Sequence, residues 1–233
     1  MAKNEDSIIV GSENNGPAPD PADARNLPVY ECRTIACDVV PELNDTVWAG
    51  ANEIILSNTA TGGKTRQSTA VRAFYNSARN SLMCRFICED DGILCTMTKR
   101  DDPIYEEDVL EVFISPDMNK YKYIELEASP AGVLFDAVIT YRKPRDISAE
   151  LEWDLEGLTV DTRFNENLRQ LTSVWEIPLA GWAAKPACGD TWLINFYRID
   201  HDLNSGEIEL QAWSHTGEPN FHVPDRFGVL RFV

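Results

Sequence analysis

Apolar and polar side chains alternate along short runs of this chain, and turn residues part the runs. TAVRAFY and SLMCRFICED flank the turn NSARN and read as a β-hairpin, with Leu82, Cys84, Phe86 and Cys88 on one face of the second run. DVLEVFIS, KYKYIELEAS, GVLFDAVITYR, GLTVDTRF, TSVWEIPL, TWLINFYRID, EIELQAW and FGVLRFV follow, most of them separated by Pro, Gly, Asn or Asp. No long stretch shows helical spacing. Many short strands in this arrangement predict an all-β fold: an antiparallel β-sandwich of jelly-roll type, with short helical turns only. DPIYEED carries a helical signal, with Asp102 placed as N-cap and Pro103 at the first helical position. The β-branched run after it limits this to one turn.

The same stretch is loaded with acid. RDDPIYEEDVLEVFISP brings Asp101, Asp102, Glu106, Glu107, Asp108 and Glu111 to the entrance of a core strand. On a strand, Leu110, Val112 and Ile114 share the face that enters the core, and Val109, Glu111 and Phe113 share the other. Glu125 alternates against Ile124 and Leu126 in the same manner. A solvated, aggregation-resistant face is the plain structural reading of these acids.

Composition narrows the classes of partner. The 233 residues carry a formal net charge of −17, so a phosphate backbone or an anionic membrane surface is repelled. No apolar run is long enough to span a bilayer. Residues 1–26 are polar, rich in Pro, Gly and Asn, and without the apolar core of a signal peptide; they read as a flexible leader to a sandwich over residues 27–233. The six cysteines form no CxxC pair and no metal spacing, which suits reduced thiols in a cytoplasmic protein.

Other motifs were weighed on their chemistry. NEIILSNTATGGKT lacks the first glycine of a phosphate loop, since Asn58 stands there, and reads as a β-turn. DHDLNSGEIELQ gathers Asp200, Asp202 and Asn204 into an acidic loop, a candidate site for structural calcium, although its flanks are strands and its glycine falls one position late for an EF-hand. No nucleophile elbow or zinc-protease helix occurs. A hydrolase using paired carboxylates such as Asp108 with Glu125 is the alternative that the abundance of acids allows.

Taken in order, LNDTVWAGA, DPIYEEDVLEVFISP, YKYIELEASPAGVLFDA, VWEIPLAGW, GDTWLINFYRID and WSHTGEPNFHVPDRFGVLRF resemble a family 9 carbohydrate-binding module over roughly Leu27 to Val233. The resemblance implies a β-sandwich, of the kind found beside xylanases, that binds a mono- or oligosaccharide and does no chemistry. It also implies two aromatic rings clamping a sugar, one just before the acidic strand motif and one just before the terminal Pro-x-x-Phe-Gly. Those positions hold Tyr105 and Phe221 here, where characterised modules carry tryptophan. The resemblance places Glu111 and Glu125 as the polar partners of sugar hydroxyls, with Asn220 beside Phe221; at the Glu125 position the well-studied member has arginine. Physically, aromatic planes suit the C–H face of a pyranose, and carboxylates accept charge-assisted bonds from its hydroxyls. Haem-binding relatives of the same sandwich group make Met83, Met97, His215 and His222 candidate axial ligands.

Overall fold

The alternating runs fold into two sheets in the computed structural model, which describes residues 27–233; the leader read over residues 1–26 lies outside the described residues. One sheet runs, in spatial order, through β14 (Gly228–Phe232), β12 (Thr191–His201), β6 (Val109–Ser115), β7 (Lys122–Ala128), β8 (Leu134–Lys143) and β9 (Asp146–Glu150). β13 (Ile208–Ala212) also pairs with β12, and β3 (Ser57–Asn58) with β13. The other sheet runs through β10 (Thr159–Asn165), β11 (Gln170–Pro178), β5 (Ser81–Glu89), β4 (Thr69–Asn76) and β2 (Glu53–Ile55). The hairpin read from TAVRAFY and SLMCRFICED is β4–β5, paired from Thr69↔Cys88 to Asn76↔Ser81.

β1 (Val29–Ile35) belongs to both sheets. Val29 to Cys32 lie parallel to β14, and Arg33 to Ile35 lie parallel to β4. Every other strand pairing among the described residues is antiparallel, so the expected antiparallel sandwich gains a parallel seam from a strand that the sequence reading passed over. Helical structure is confined to 3-10 turns at Thr46–Gly50, Ile104–Glu106, Pro116–Met118 and Pro224–Arg226. The second is the turn expected from DPIYEED, but Asp102 does not cap it. No side chain does. The Asp102 carboxylate accepts the N–H groups of Thr98 (3.2 Å) and Lys99 (2.9 Å) in the preceding loop.

Between the sheets lies the main core. Leu110, Val112 and Ile114 meet Leu82, Cys84, Phe86 and Cys88, as the alternation requires. Phe86 stands 5.6 Å from the Trp175 ring on its own sheet and 6.0 Å from Phe196 on the facing one. Two further apolar layers cover the outer faces. On the second sheet, Trp48 packs on Phe74 and encloses Met83 and Val174. On the first, Ile104, Phe221 and Phe227 from connecting loops cover Val109, Phe113, Tyr123 and Tyr197. β6 is therefore buried on both faces along its whole length. Gly228 is required where Trp213 crosses the sheet, because any Cβ there would collide with the indole.

One buried guanidinium ties the sheets together. Arg198 of β12 donates to Thr69 Oγ1 (3.1 Å) and Glu89 O (2.8 Å) on the opposite sheet, and to Asp90 (2.9 Å) and Asp200 (2.5 Å). Neither these carboxylates nor the guanidinium is exposed. Replacing Arg198 by methionine keeps an unbranched apolar stem, removes the guanidinium and leaves two buried acids without their shared partner. Arg198→Met is expected to lower unfolding free energy by about 3–5 kcal/mol, read from urea denaturation at pH 7; a loss below 1 kcal/mol would mean that the network is dispensable.

Candidate functional site

The outer face of the first sheet is where the predicted site residues gather. The strand register sets the order Tyr197–Glu111–Glu127–Phe135 across β12, β6, β7 and β8. The next row inward is Asn195–Phe113–Glu125–Ala137. Side chains on one face of directly paired residues are close neighbours. One carboxyl oxygen each of Glu111, Glu125 and Glu127 consequently lies within 4.8 Å of the other two. All three side chains are buried, Glu111 at 2%, Glu125 at 6% and Glu127 at 1% exposure.

Aromatic side chains frame this acid floor. Phe221 stacks on Tyr197 at one end, with ring centroids 4.1 Å apart and planes 17° from parallel. The Tyr197 hydroxyl donates to the Phe221 carbonyl (3.0 Å), which holds the loop down. At the other end Tyr105, half-buried on its 3-10 turn, meets the edge of Phe135 at 5.6 Å. Three strand intervals separate Tyr197 from Phe135, about 14 Å. His222 lies over Phe113 at 5.2 Å and shares a 2.8 Å hydrogen bond with the Tyr123 hydroxyl through Nδ1. Its Nε2 is 3.8 Å from Glu125 Oε1.

Electrostatics here are governed by burial. Loss of solvent pushes Glu111 well above the ordinary carboxylate range, and the adjoining Glu125 carboxyl pushes it further. Glu127 rises for the same causes, with Glu111 and Glu125 both contributing, and burial takes Glu125 to about 8. Burial also drives His222 down to about 4, so it stays neutral at pH 7 and offers Glu125 no cation. Tyr105 is raised to about 12, first by burial and then by Glu127, Glu106 and Glu125. No ion pair in the described residues joins an arginine or lysine to the three glutamates.

The structure thus brings together Tyr105, Glu111, Glu125 and Phe221. Phe221 gives one ring face to Tyr197 and is 8% exposed, so the two rings do not stand as an open pair. Asn220 has a local role: its Oδ1 accepts the His222 N–H at 3.0 Å and so fixes that loop. Sequence reasoning missed Glu127, Tyr197 and His222. Glu127 was within reach, since it sits two residues from Glu125 and period-2 alternation places it on the same face. Tyr197 and His222 join through the pairing of β12 and the closing loop, which no local signal announces.

The other candidates fall elsewhere. Asp200 lies in β12, not in the acidic loop, and its two oxygens are held by Arg198 and Arg66. Asp202 accepts the N–H of Asn204 at 2.9 Å and lies 3.7 Å from Arg66. Guanidinium groups therefore stand against these acids. The Asp108–Glu125 pair does not form. Asp108 accepts the His201 and Leu94 N–H groups and pairs with the His201 ring, whereas Glu125 faces outward beside Glu111 and Glu127. Of the four candidate axial ligands, Met83 is fully buried as core filler under Trp48 and His215 is exposed against Gly62, so these two do not meet.

Protons on the glutamate cluster predict a pH dependence of stability. An unfolded glutamic acid releases its proton near pH ~4.3. The folded protein retains the cluster's protons above that, so stability is greatest below it and falls as pH rises toward about 8, where Glu125 ionises. Each retained proton contributes a slope of up to ~1.4 kcal/mol per pH unit. Glu127→Gln is expected to flatten that slope and to be more stable than the parent protein at pH 8. Urea unfolding at pH 5, 6.5 and 8 is the measurement; parallel slopes would show that the cluster is ionised in the folded state.

Comparison with known proteins bears on this arrangement. A curated protein of Arthroderma benhamiae, named "Extracellular protein", is 27% identical over 177 residues, 71% of this chain and 78% of its own length. That name lends no support to the cytoplasmic location inferred from the cysteines, although all six are free thiols. No helix of the described residues is long and apolar enough to cross a membrane. A candidate carbohydrate-binding protein of Bacteroides uniformis superposes with a TM-score of 0.73 at 17% identity, over 89% of this chain and 100% of its own. A family 9 module of Caldicellulosiruptor kristjanssonii solved with cellotriose gives 0.63 at 12% identity, over 88% and 93% of the two chains. The glucose complex of a family 9 module from the same organism gives 0.60 at 12%, over 86% and 95%. The model of the family described as carbohydrate family 9 binding domain-like matches residues 41–233, and the chain belongs to that family.

Proposed function

We propose that this protein binds a sugar on the outer face of β6 and β7, without catalysis, using Tyr105 and Phe221 as flanking rings and the glutamate cluster as the polar floor. The observation that carries the reading is the pairing of those two rings with three converging carboxyl groups at positions where the family resemblance expects a sugar clamp. Family members with the same fold, solved with cellotriose and with glucose, support the ligand class. Phe221 is packed down by Tyr197, whereas Tyr105 rides on a three-residue turn with an exposed neighbour, Glu106. Entry from the Tyr105 side would displace that short turn and leave the sheet intact. Protonated and ionised carboxyls both bond hydroxyl groups, the first as donor and acceptor and the second as acceptor only.

Titration calorimetry with glucose, xylose, cellobiose and cellotriose tests this reading, with Kd values of roughly 10⁻⁴ to 10⁻⁶ M expected for at least one. Absence of heat from every sugar at millimolar concentration would overturn it. Tyr105→Ala should weaken binding by about 3- to 10-fold, the worth of one ring contact, and leave the unfolding transition nearly in place. Phe221→Ala should weaken binding and also cost about 3 kcal/mol of stability, because it empties a packed site.

A further inference from the structure

Buried acids elsewhere among the described residues are held by donors, Glu107 and Asp108 by N–H groups, the Thr96 hydroxyl and the His201 ring, and the others by guanidinium partners. Asp90 and Asp200 share Arg198, Asp136 binds Arg100, and Glu176 binds Arg79. Glu111, Glu125 and Glu127 have none. A second observation is independent of their spacing: Glu127 Oε2 is buried and has no hydrogen-bond partner. Leaving a buried acceptor unmatched is costly. The groups around it are already committed or neutral. The Tyr197 hydroxyl donates to Phe221 O, the Tyr123 hydroxyl shares a hydrogen bond with His222 Nδ1, and the His222 ring stands uncharged.

Geometry indicates what the cluster lacks. An ammonium group has three N–H donors at tetrahedral angles. Charge-assisted bonds of ~2.8 Å from such a nitrogen place their three acceptors ~4.6 Å apart. The oxygens of the three glutamates lie within 4.8 Å of one another, near enough for one such group to reach all three. A divalent ion would also fit among three carboxylates. The Tyr105 ring beside the cluster, however, matches the apolar face of an organic ring. We propose that the preferred ligand is an amino sugar, with its protonated primary amine seated among Glu111, Glu125 and Glu127, one of which releases its proton to solvent as the cation enters, and its ring beside Tyr105. This rests on the sugar-binding reading and narrows the class of sugar.

Calorimetry at pH 7 and low salt with glucosamine, glucose and N-acetylglucosamine decides the matter. Glucosamine is expected to bind at least tenfold more tightly than glucose, and acetylation, which removes the charge, should abolish the gain. In Glu127→Gln the glucose-to-glucosamine ratio of Kd values should fall to within about threefold of unity, with folding checked by its urea transition. Should that variant fail to fold, the selectivity of the parent protein still decides. If glucose binds as tightly as glucosamine, the amine assignment is wrong and sugar binding stands. If neither sugar nor amino sugar binds, both readings fall. If Mn²⁺ or Ca²⁺ alone gives saturable heat that Glu127→Gln abolishes, the cluster is a metal site and the amine assignment is overturned.

Discussion

A sheet buried on both faces is the constraint on which the rest of this molecule depends. β6 and β7 lie between the sandwich core and a second apolar layer formed by Ile104, Phe221, Phe227 and their neighbours. Any polar side chain on the outward face therefore sits in a dry environment, although a two-layer sandwich would ordinarily leave that face wet. Glu111, Glu125 and Glu127 occupy this position. Their carboxyl groups hold protons at neutral pH because charging them without solvent or a counter-ion costs too much.

Two solutions to buried charge stand side by side on one strand. Arg198 points into the sandwich and compensates Asp90 and Asp200 with direct hydrogen bonds. Tyr197, its neighbour in sequence, points outward to the glutamate cluster, which has no such compensation. The first arrangement closes on itself and locks the sheets together. The second leaves an acceptor unsatisfied, and it lies beside a short, half-buried turn instead of a packed strand. That difference separates a closed structural ion-pair network from the binding floor proposed above; elsewhere Arg66, Arg100, Arg169 and Arg198 stand against acids of a chain with net charge −17.

Family membership fixes the fold more tightly than the site. Identities of 12–17% accompany TM-scores of 0.60–0.73, because two twisted sheets need only alternating apolar positions and suitable turns. Binding depends on a handful of side chains. In this chain the rings are a tyrosine and a phenylalanine in place of the tryptophans of characterised modules, and acids fill the floor. The proposed choice of sugar rests on those side chains and not on the shared sandwich.

Period-2 alternation determined most of the architecture from sequence alone. It placed β4 to β8 and β10 to β14, assigned Leu110, Val112 and Ile114 to the core, and set Glu111 and Glu125 outward, since successive strand side chains must point to opposite faces. Tyr105 and Phe221 were legible through motif order. Four features were not. β1 shows its meaning only through partners far along the chain, joining the two sheets by parallel pairing with β14 and β4. The register that sets Glu111 opposite Glu127 depends on how two strands align. The stacking of Phe221 on Tyr197 depends on where a loop comes to rest. The pairing of Asp200 with Arg198 and Arg66 depends on residues 2 and 134 positions away. Local pattern can fix which way a side chain points, because that is a property of one strand; what it meets there is a property of long-range pairing, which only the tertiary structure decides.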